Sequence, residues 1–207
     1  MRHRNRLLVV LSLSIGVGLA AAVVGCHDSG NSGSATSQVR VMLTDAPADY
    51  IESAVVTISR VYLVPGDDDT KSVDLLPVSA GPATYDLLDL REGIEALLAE
   101  KAVAPGTYQQ LRLVVESATV TLIPGVTFND GSSTRELSVP SGMQSGIKVE
   151  LAEPLDADAG MLRIVIVDFD VDRNFVLLGN PTTPAGLNGI QFTPTLTEKS
   201  RVEAPLP

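Results

Sequence analysis

From Val39 onward, apolar residues recur at every second position in short runs cut by Pro, Gly, Asn and Asp. That period-2 alternation admits little other than β-sheet with one buried face. Val39, Val41 and Leu43 open the pattern, and Asp45-Ala46-Pro47 stops it. Ala54 to Val64 resumes it, with Val56, Ile58, Tyr62 and Val64 expected on one side, before a solvated turn at Pro65 to Asp69. Leu111, Leu113 and Val115 alternate in the run from Tyr108, Val120 and Leu122 follow, and Asn129-Asp130-Gly131 carries the Asp-Gly pair of tight hairpins. Further strands are expected at Ile147 to Leu151, Met161 to Asp170, Asn174 to Leu178 and Ile190 to Thr197. One segment departs from the period. Within Arg91 to Lys101, Ile94, Leu97 and Leu98 sit at i, i+3 and i+4 and predict a short amphipathic helix, ended by Ala104-Pro105-Gly106. The pattern as a whole predicts an all-β domain over residues 39–198. Its expected form is an antiparallel β-sandwich of Greek-key type with one short helix, a β-barrel being the alternative, and residues 199–207 form a C-terminal tail.

The residues before Val39 have a different character. Met1 to Arg6 is basic and Leu7 to Gly25 carries no charge, the order of an export signal. Val23-Val24-Gly25-Cys26 then resembles the lipobox of bacterial lipoproteins, so residues 1–25 are expected to be removed and Cys26 to carry the lipid that anchors the chain to a membrane. A retained membrane helix and an ordinary cut after Ala20-Ala21-Ala22 are the competing readings. Gly16, Gly18 and Gly25 disfavour the helix, and the ordinary cut would leave Cys26 as a reactive thiol. Residues 26–38 are rich in Ser, Gly, Asn and Thr and read as a flexible tether reaching roughly 20 Å. His27 follows Cys26, where lipoproteins retained in an inner membrane tend to carry aspartate. In a host with two membranes the outer one is therefore expected.

Arg2, Arg4 and Arg6 leave with the signal, so 12 of the 15 basic residues face 25 acidic ones, a net charge of −13. Such a surface repels phosphate backbones, and nucleic acid is not an expected partner.

The segments VMLTDAPADYIESAVVTISRVYL, YDLLDLREGIEALLAE, APGTYQQLRLVVE, LSVPSGMQSGIKVE and VIVDFDVDRNFV, in that order, resemble an uncharacterised family of bacterial and archaeal envelope lipoprotein domains, a domain of unknown function. The resemblance spans roughly Val39 to Leu196. It implies a prealbumin-like or carbohydrate-binding-like β-sandwich beside a lipid-anchored cysteine, and it carries no activity. The closing segment Phe192-Thr193-Pro194-Thr195-Leu196 departs from the family pattern, which leaves the pairing of a final strand open.

The chemistry available to the domain is narrow. Its only cysteine is Cys26, and the histidines are His3 and His27, so no His or Cys lies in the expected fold. Ser-His-Asp and Cys-His catalysis and His/Cys zinc sites are excluded there. The expectation is a non-enzymatic binding module for an envelope glycan or protein. The alternative is a small envelope hydrolase built on paired carboxylates. Sugar stacking needs an exposed aromatic ring; there is no Trp, and Tyr50 is the best placed. Two further candidates stand out. Ser141, Gly142, Ser145 and Gly146, with Lys148 beyond, have the spacing of an anion-binding loop as well as of a plain glycine turn. Asp168, Asp170 and Asp172 alternate with Phe169 and Val171; if the strand continues they share one face, as a solvated surface or, with Asp45 or Asp49, as a calcium site. Arg173 and Gly179 stand where an EF-hand needs glycine and an acid, so a true EF-hand is excluded.

Overall fold

Two long strands, β2 (Ile51–Val64) and β7 (Gln110–Leu122), pair antiparallel along nearly their whole length in the computed structural model, which describes residues 36–45, 48–66, 68–76, 81–139, 145–183 and 186–207. Their curvature is written into the register. Val56 and Ile58 face the main core, the pairing slips between Ile58 and Arg60, and beyond the slip Val61 and Leu63 face that core while Tyr62 and Val64 form a second cluster with Val114. A bulge inserts one residue and reverses the alternation beyond it. The single face expected for Val56, Ile58, Tyr62 and Val64 is therefore corrected to two.

Around this pair lie β3 (Val73–Leu76) and β4 (Ala83–Asp86) on β2, and β8 (Thr134–Leu137) on β7. The path continues from β7 through β9 (Ile147–Glu150), β14 (Leu196–Pro205), β11 (Met161–Asp168) and β1 (Ser37–Thr44) to β5 (Ala96–Val103). Its two ends meet again: Lys101 on β5 donates to the Asp74 carbonyl on β3 at 2.8 Å. The result is an all-β, sandwich-like sheet that nearly closes into a barrel. Two short ribbons complete it, β6 (Gly106–Tyr108) with β10 (Leu155–Ala157) and β12 (Phe175–Gly179) with β13 (Leu187–Phe192). The sheet is not wholly antiparallel, since β1 with β11 and β9 with β14 run parallel.

Four expectations change. The helix over Arg91–Lys101 is absent. Asp86 caps a 3-10 turn at Leu87–Leu90 by accepting the Leu88 N–H, and the chain then turns through Glu92 and Gly93, at φ 59° and 86°, into β5. Of the helical stripe only Leu98 is buried, while Ile94 and Leu97 are exposed. A three-residue stripe is weak support for so short a helix, whereas β1 offers ladder partners from Ser37 to Leu43. The tail at 199–207 is instead most of β14, in register with β11 from Thr197–Asp168 to Pro205–Met161. Its polar sequence hid it, because one side faces solvent and Arg201 is tied to Glu198 and to the Glu153 and Pro154 carbonyls. The final strand thus has partners on both sides, β9 and β11, and the expected strand Ile190–Thr197 divides into β13 and the start of β14. Asn129-Asp130-Gly131 turns the chain, with Gly131 at φ 82°, but it lies within the longer connection between β7 and β8 rather than in a tight hairpin.

Candidate functional site

The domain has two unlike ends. At one end the chain enters β1 at Ser37, and the Gly160 N–H donates to the Thr36 carbonyl at 3.0 Å while the Leu206 N–H donates to the Gly160 carbonyl at 2.9 Å. We refer to it as the tether end, after the tether expected over residues 26–38. The eight residues of β1, at about 3.3 Å each, carry the chain roughly 26 Å to the other end. There β1 and its parallel neighbour β11 both stop, at Thr44 and Asp168, and the loops 45–50, 87–95 and 168–175 converge.

Backbone polar groups and three side chains lock these loops together. Thr44 Oγ1 is 3.1 Å from the carbonyls of both Leu90 and Ile94, and the Asp45 N–H donates to Leu90. Asp45 is buried, and its Oδ1 accepts the Val171 N–H at 2.8 Å. Asn174, closing the short helix α1 (Val171–Asn174), is 1% exposed; its Nδ2 donates to the Phe169 and Thr195 carbonyls and its Oδ1 accepts the Thr195 N–H at 2.8 Å. Phe169, Phe175 and Phe192 stack beneath, with centroids 6.3 and 4.8 Å apart.

Among the described residues, the non-glycine positions at positive φ are Tyr50 (63°), Glu92 (59°) and Asp170 (45°), one on each of the three loops. Each such conformation costs on the order of 1–3 kcal/mol and survives only where surrounding structure enforces it. The same loops carry Asp45, Asp49, Asp89, Glu92, Glu95, Asp168, Asp170 and Asp172 against Arg91 and Arg173, so this end is strongly acidic.

Two clefts open on it. A groove of about 290 Å³ lies between Asp49, Tyr50 and Ile51 on the β1–β2 loop and Phe175, Val176 and Leu177 on β12, with Asp172 beside them. A second of about 330 Å³ is lined by Leu88, Asp89, Arg91, Glu92 and Ile94. Each brings two carboxylates to one hollow. Tyr50, half-buried, is the aromatic residue at the first groove that retains an exposed portion.

The predicted site residues fare unevenly. Val165, Val167, Phe169 and Val171 are all buried as period 2 requires, but the strand ends at Asp168. Asp168 Oδ1 accepts the Asp170 N–H, Asp170 Oδ1 accepts the Arg173 N–H and caps α1, and Asp172 turns outward. The three carboxylates thus do not share a strand face, and among the described residues no three His, Cys, Asp or Glu side chains gather as a metal cradle. Ser145, Gly146 and Lys148 lie toward the opposite end of β2. The Ser145 carbonyl accepts from Tyr62 Oη at 2.6 Å and from buried Arg112 at 2.8 Å, and Gly146, at φ 67°, sits with its Cα against the Tyr62 ring. This stretch is fastened to the outer face of β2 and β7, and Lys148 on β9 is exposed opposite Arg112. Ser141, Gly142 and Cys26 fall outside the described residues. Among the described residues no helix is long and apolar enough to cross a membrane.

Sequence reasoning missed the loop 87–95, because its apolar residues imitate a helix, and missed the role of Asn174, whose partners are distant in sequence. Glu92-Gly93 is the one local signal that could have marked a turn there.

Residues 36–189 match the family model described as a domain of unknown function (DUF4382). The chain belongs to that family. The match begins where β1 begins and ends before β14, a somewhat earlier frame than Val39 to Leu196. No curated protein matches this DUF4382 chain. Among solved structures, it is similar to a candidate cell adhesion protein from Bacteroides uniformis at 16% identity and a TM-score of 0.18, covering 79% of this chain and 51% of that one. The chain therefore spans about half the length of that protein, and a likeness this loose carries no argument.

Proposed function

We propose that this DUF4382 domain is a non-enzymatic binding module of the cell envelope, anchored by lipid on Cys26, which engages an envelope glycan or protein through the loop end. The observation that carries this reading is placement: Tyr50, Glu92 and Asp170 hold strained conformations on three interlocked loops, at the end of β1 opposite the one where the chain arrives from Cys26. Strain kept on surface loops of a well-packed sheet is a mark of a surface shaped for contact. The chain enters β1 at the far end, so an anchor on Cys26 would leave the loop end accessible to partners.

Two measurements test it. Mass spectrometry of the membrane fraction should find a mature chain starting at acylated Cys26, and Cys26→Ser should accumulate as precursor. A mature chain beginning at Val23, or at Cys26 without acyl mass, sinks the anchor. For the binding role, a Tyr50→Ser, Glu92→Ser double variant should lose the partners that wild type retains from envelope extract, while a Lys148→Ala variant keeps them; equal retention by all three would remove the loop end. A second reading, a carboxylate-based envelope hydrolase, is favoured by the meeting of Asp49 and Asp172 at one groove. Turnover of a glycan or ester abolished by Asp172→Asn would establish it in place of the first.

A further inference from the structure

Most strands of this domain that end a sheet are guarded. β5 carries Glu100 and Lys101, β3 carries Asp74, and β8 carries Arg135 and Glu136. Charges and lysines on edge strands prevent pairing with foreign chains. The β12–β13 ribbon differs. The far side of β13 is covered: the Leu187 N–H donates to the Thr127 carbonyl, the Asn129 N–H to the Leu187 carbonyl, and Arg135 to the Asn188 carbonyl at 3.2 Å. β12, Phe-Val-Leu-Leu-Gly, has β13 as its strand partner and none on its other side among the described residues. It contains no charge, and Val176 and Leu178 are 44% and 43% exposed.

That bare edge borders the groove. Phe175, Val176 and Leu177 all line it, although successive side chains of a strand point to opposite faces. Three consecutive lining residues are what a strand bordering a groove along its edge gives, and β12 has no strand partner on the side away from β13 among the described residues. The opposite wall is Tyr50 and Ile51, and the groove's two charged residues are Asp49 and Asp172. Among the described residues no basic side chain lines it.

We propose that the groove between β12 and Tyr50 accepts an extended segment of a partner protein as an added β-strand, and that the segment alternates apolar with Lys or Arg residues. The proposal deepens the binding-module reading and rests on it. Main-chain hydrogen bonds to β12 would supply affinity, Val176 and Leu178 an apolar track, and Asp49 and Asp172 the selection for positive charge. The chain's own segment between Cys26 and Thr36 is a poor occupant, since it is polar and joins the domain at the tether end.

The test uses the full chain in detergent and two synthetic heptapeptides, one alternating Lys with Val and one alternating Glu with Val, followed by fluorescence anisotropy. The Lys–Val peptide should bind at least about tenfold more tightly than the Glu–Val peptide. Val176→Lys, at an exposed position, should weaken the Lys–Val peptide about tenfold with an unchanged melting temperature, and Asp172→Lys should narrow or reverse the charge preference. Equal affinity for the two peptides, no saturable binding below about 1 mM, or indifference to Val176→Lys would each overturn the proposal. A concentration-dependent dimer abolished by Val176→Lys would place a second copy on the edge and overturn it also. If envelope partners were retained equally by wild type and Val176→Lys, the edge would fail while the binding module stood.

Discussion

The two ends of the domain are built by different rules. At the tether end, positive φ falls on glycines, as at Gly106 and Gly160, and charged side chains pair across the surface, Arg163 with Asp158 and Glu203 and Lys71 with Asp68. At the loop end, positive φ falls on Tyr50, Glu92 and Asp170 as well as on Gly93, acids outnumber bases, and a buried Asp45 and Asn174 do the joining. Glycine adopts positive φ without steric cost, and an exposed ion pair such as Lys71–Asp68 is weak and replaceable, so these parts of the first end are inexpensive. Non-glycine residues in that conformation raise the energy of the fold, and buried polar side chains must find every partner. A chain keeps such features where side chains at fixed positions matter more than stability, which is the physical content of assigning contact to the loop end.

The largest test of this contrast is Asn174→Ala. It strips hydrogen-bond partners from the Phe169 carbonyl and the Thr195 N–H and carbonyl, and should lower unfolding stability by about 3 kcal/mol in urea titration. A loss below about 1 kcal/mol would mean the loops are held by packing of Phe169, Phe175 and Phe192 instead. Glu92→Gly works in the opposite sense. It releases an exposed residue from φ 59° and should raise stability by about 1 kcal/mol, seen as a higher melting temperature, while altering the second groove. A destabilised Glu92→Gly would show that the side chain, not the backbone, is what the fold needs there. At the tether end Lys71→Ala removes an ion pair with side chains 72% and 50% exposed and should change stability by less than about 0.5 kcal/mol. A larger loss would erase the distinction between the ends.

The smallest effect is one of pH. Hydrogen bonds from the Thr70 hydroxyl and N–H hold the Asp68 carboxyl below its ordinary value of 3.8, with Lys71 adding to them. A lowered carboxylate favours the folded state above the unfolded value, and that contribution disappears as pH falls below about 3.8. Melting temperatures between pH 5 and 2 should therefore fall slightly less steeply in Asp68→Asn than in wild type; identical slopes would show that the Thr70 contacts persist in the unfolded chain.

Period-2 alternation was enough to read the all-β class, most strands, and the burial of Val165, Val167, Phe169 and Val171, because a half-buried strand imposes its pattern locally. The missing His and Cys likewise bounded the chemistry without any coordinates. What local pattern could not supply were outcomes of competition between distant segments. Ile94, Leu97 and Leu98 have helical spacing, yet the ladder edge of β1 claims that stretch as β5. Polar residues 199–205 look like a tail, yet β11 takes them as β14. Bulges between Ile58 and Arg60 send Tyr62 to the face where Gly146 and Arg112 meet it, and the stop after Asp168 turns three aspartates from one expected row into helix cap, loop and surface.

The sequence by itself determined that this chain makes sheet, which residues of its regular strands such as β11 point inward, and that residues 36–207 hold no His or Cys, since alternation and residue inventory act at short range or not through space at all. Only the tertiary structure decided where the parallel pairing of β1 and β11 ends, how Thr44, Asp45 and Asn174 join three loops there, and that the uncharged β12 has one strand partner among the described residues. Those are properties of register and of partners far apart along the chain, and no window of neighbouring residues contains them.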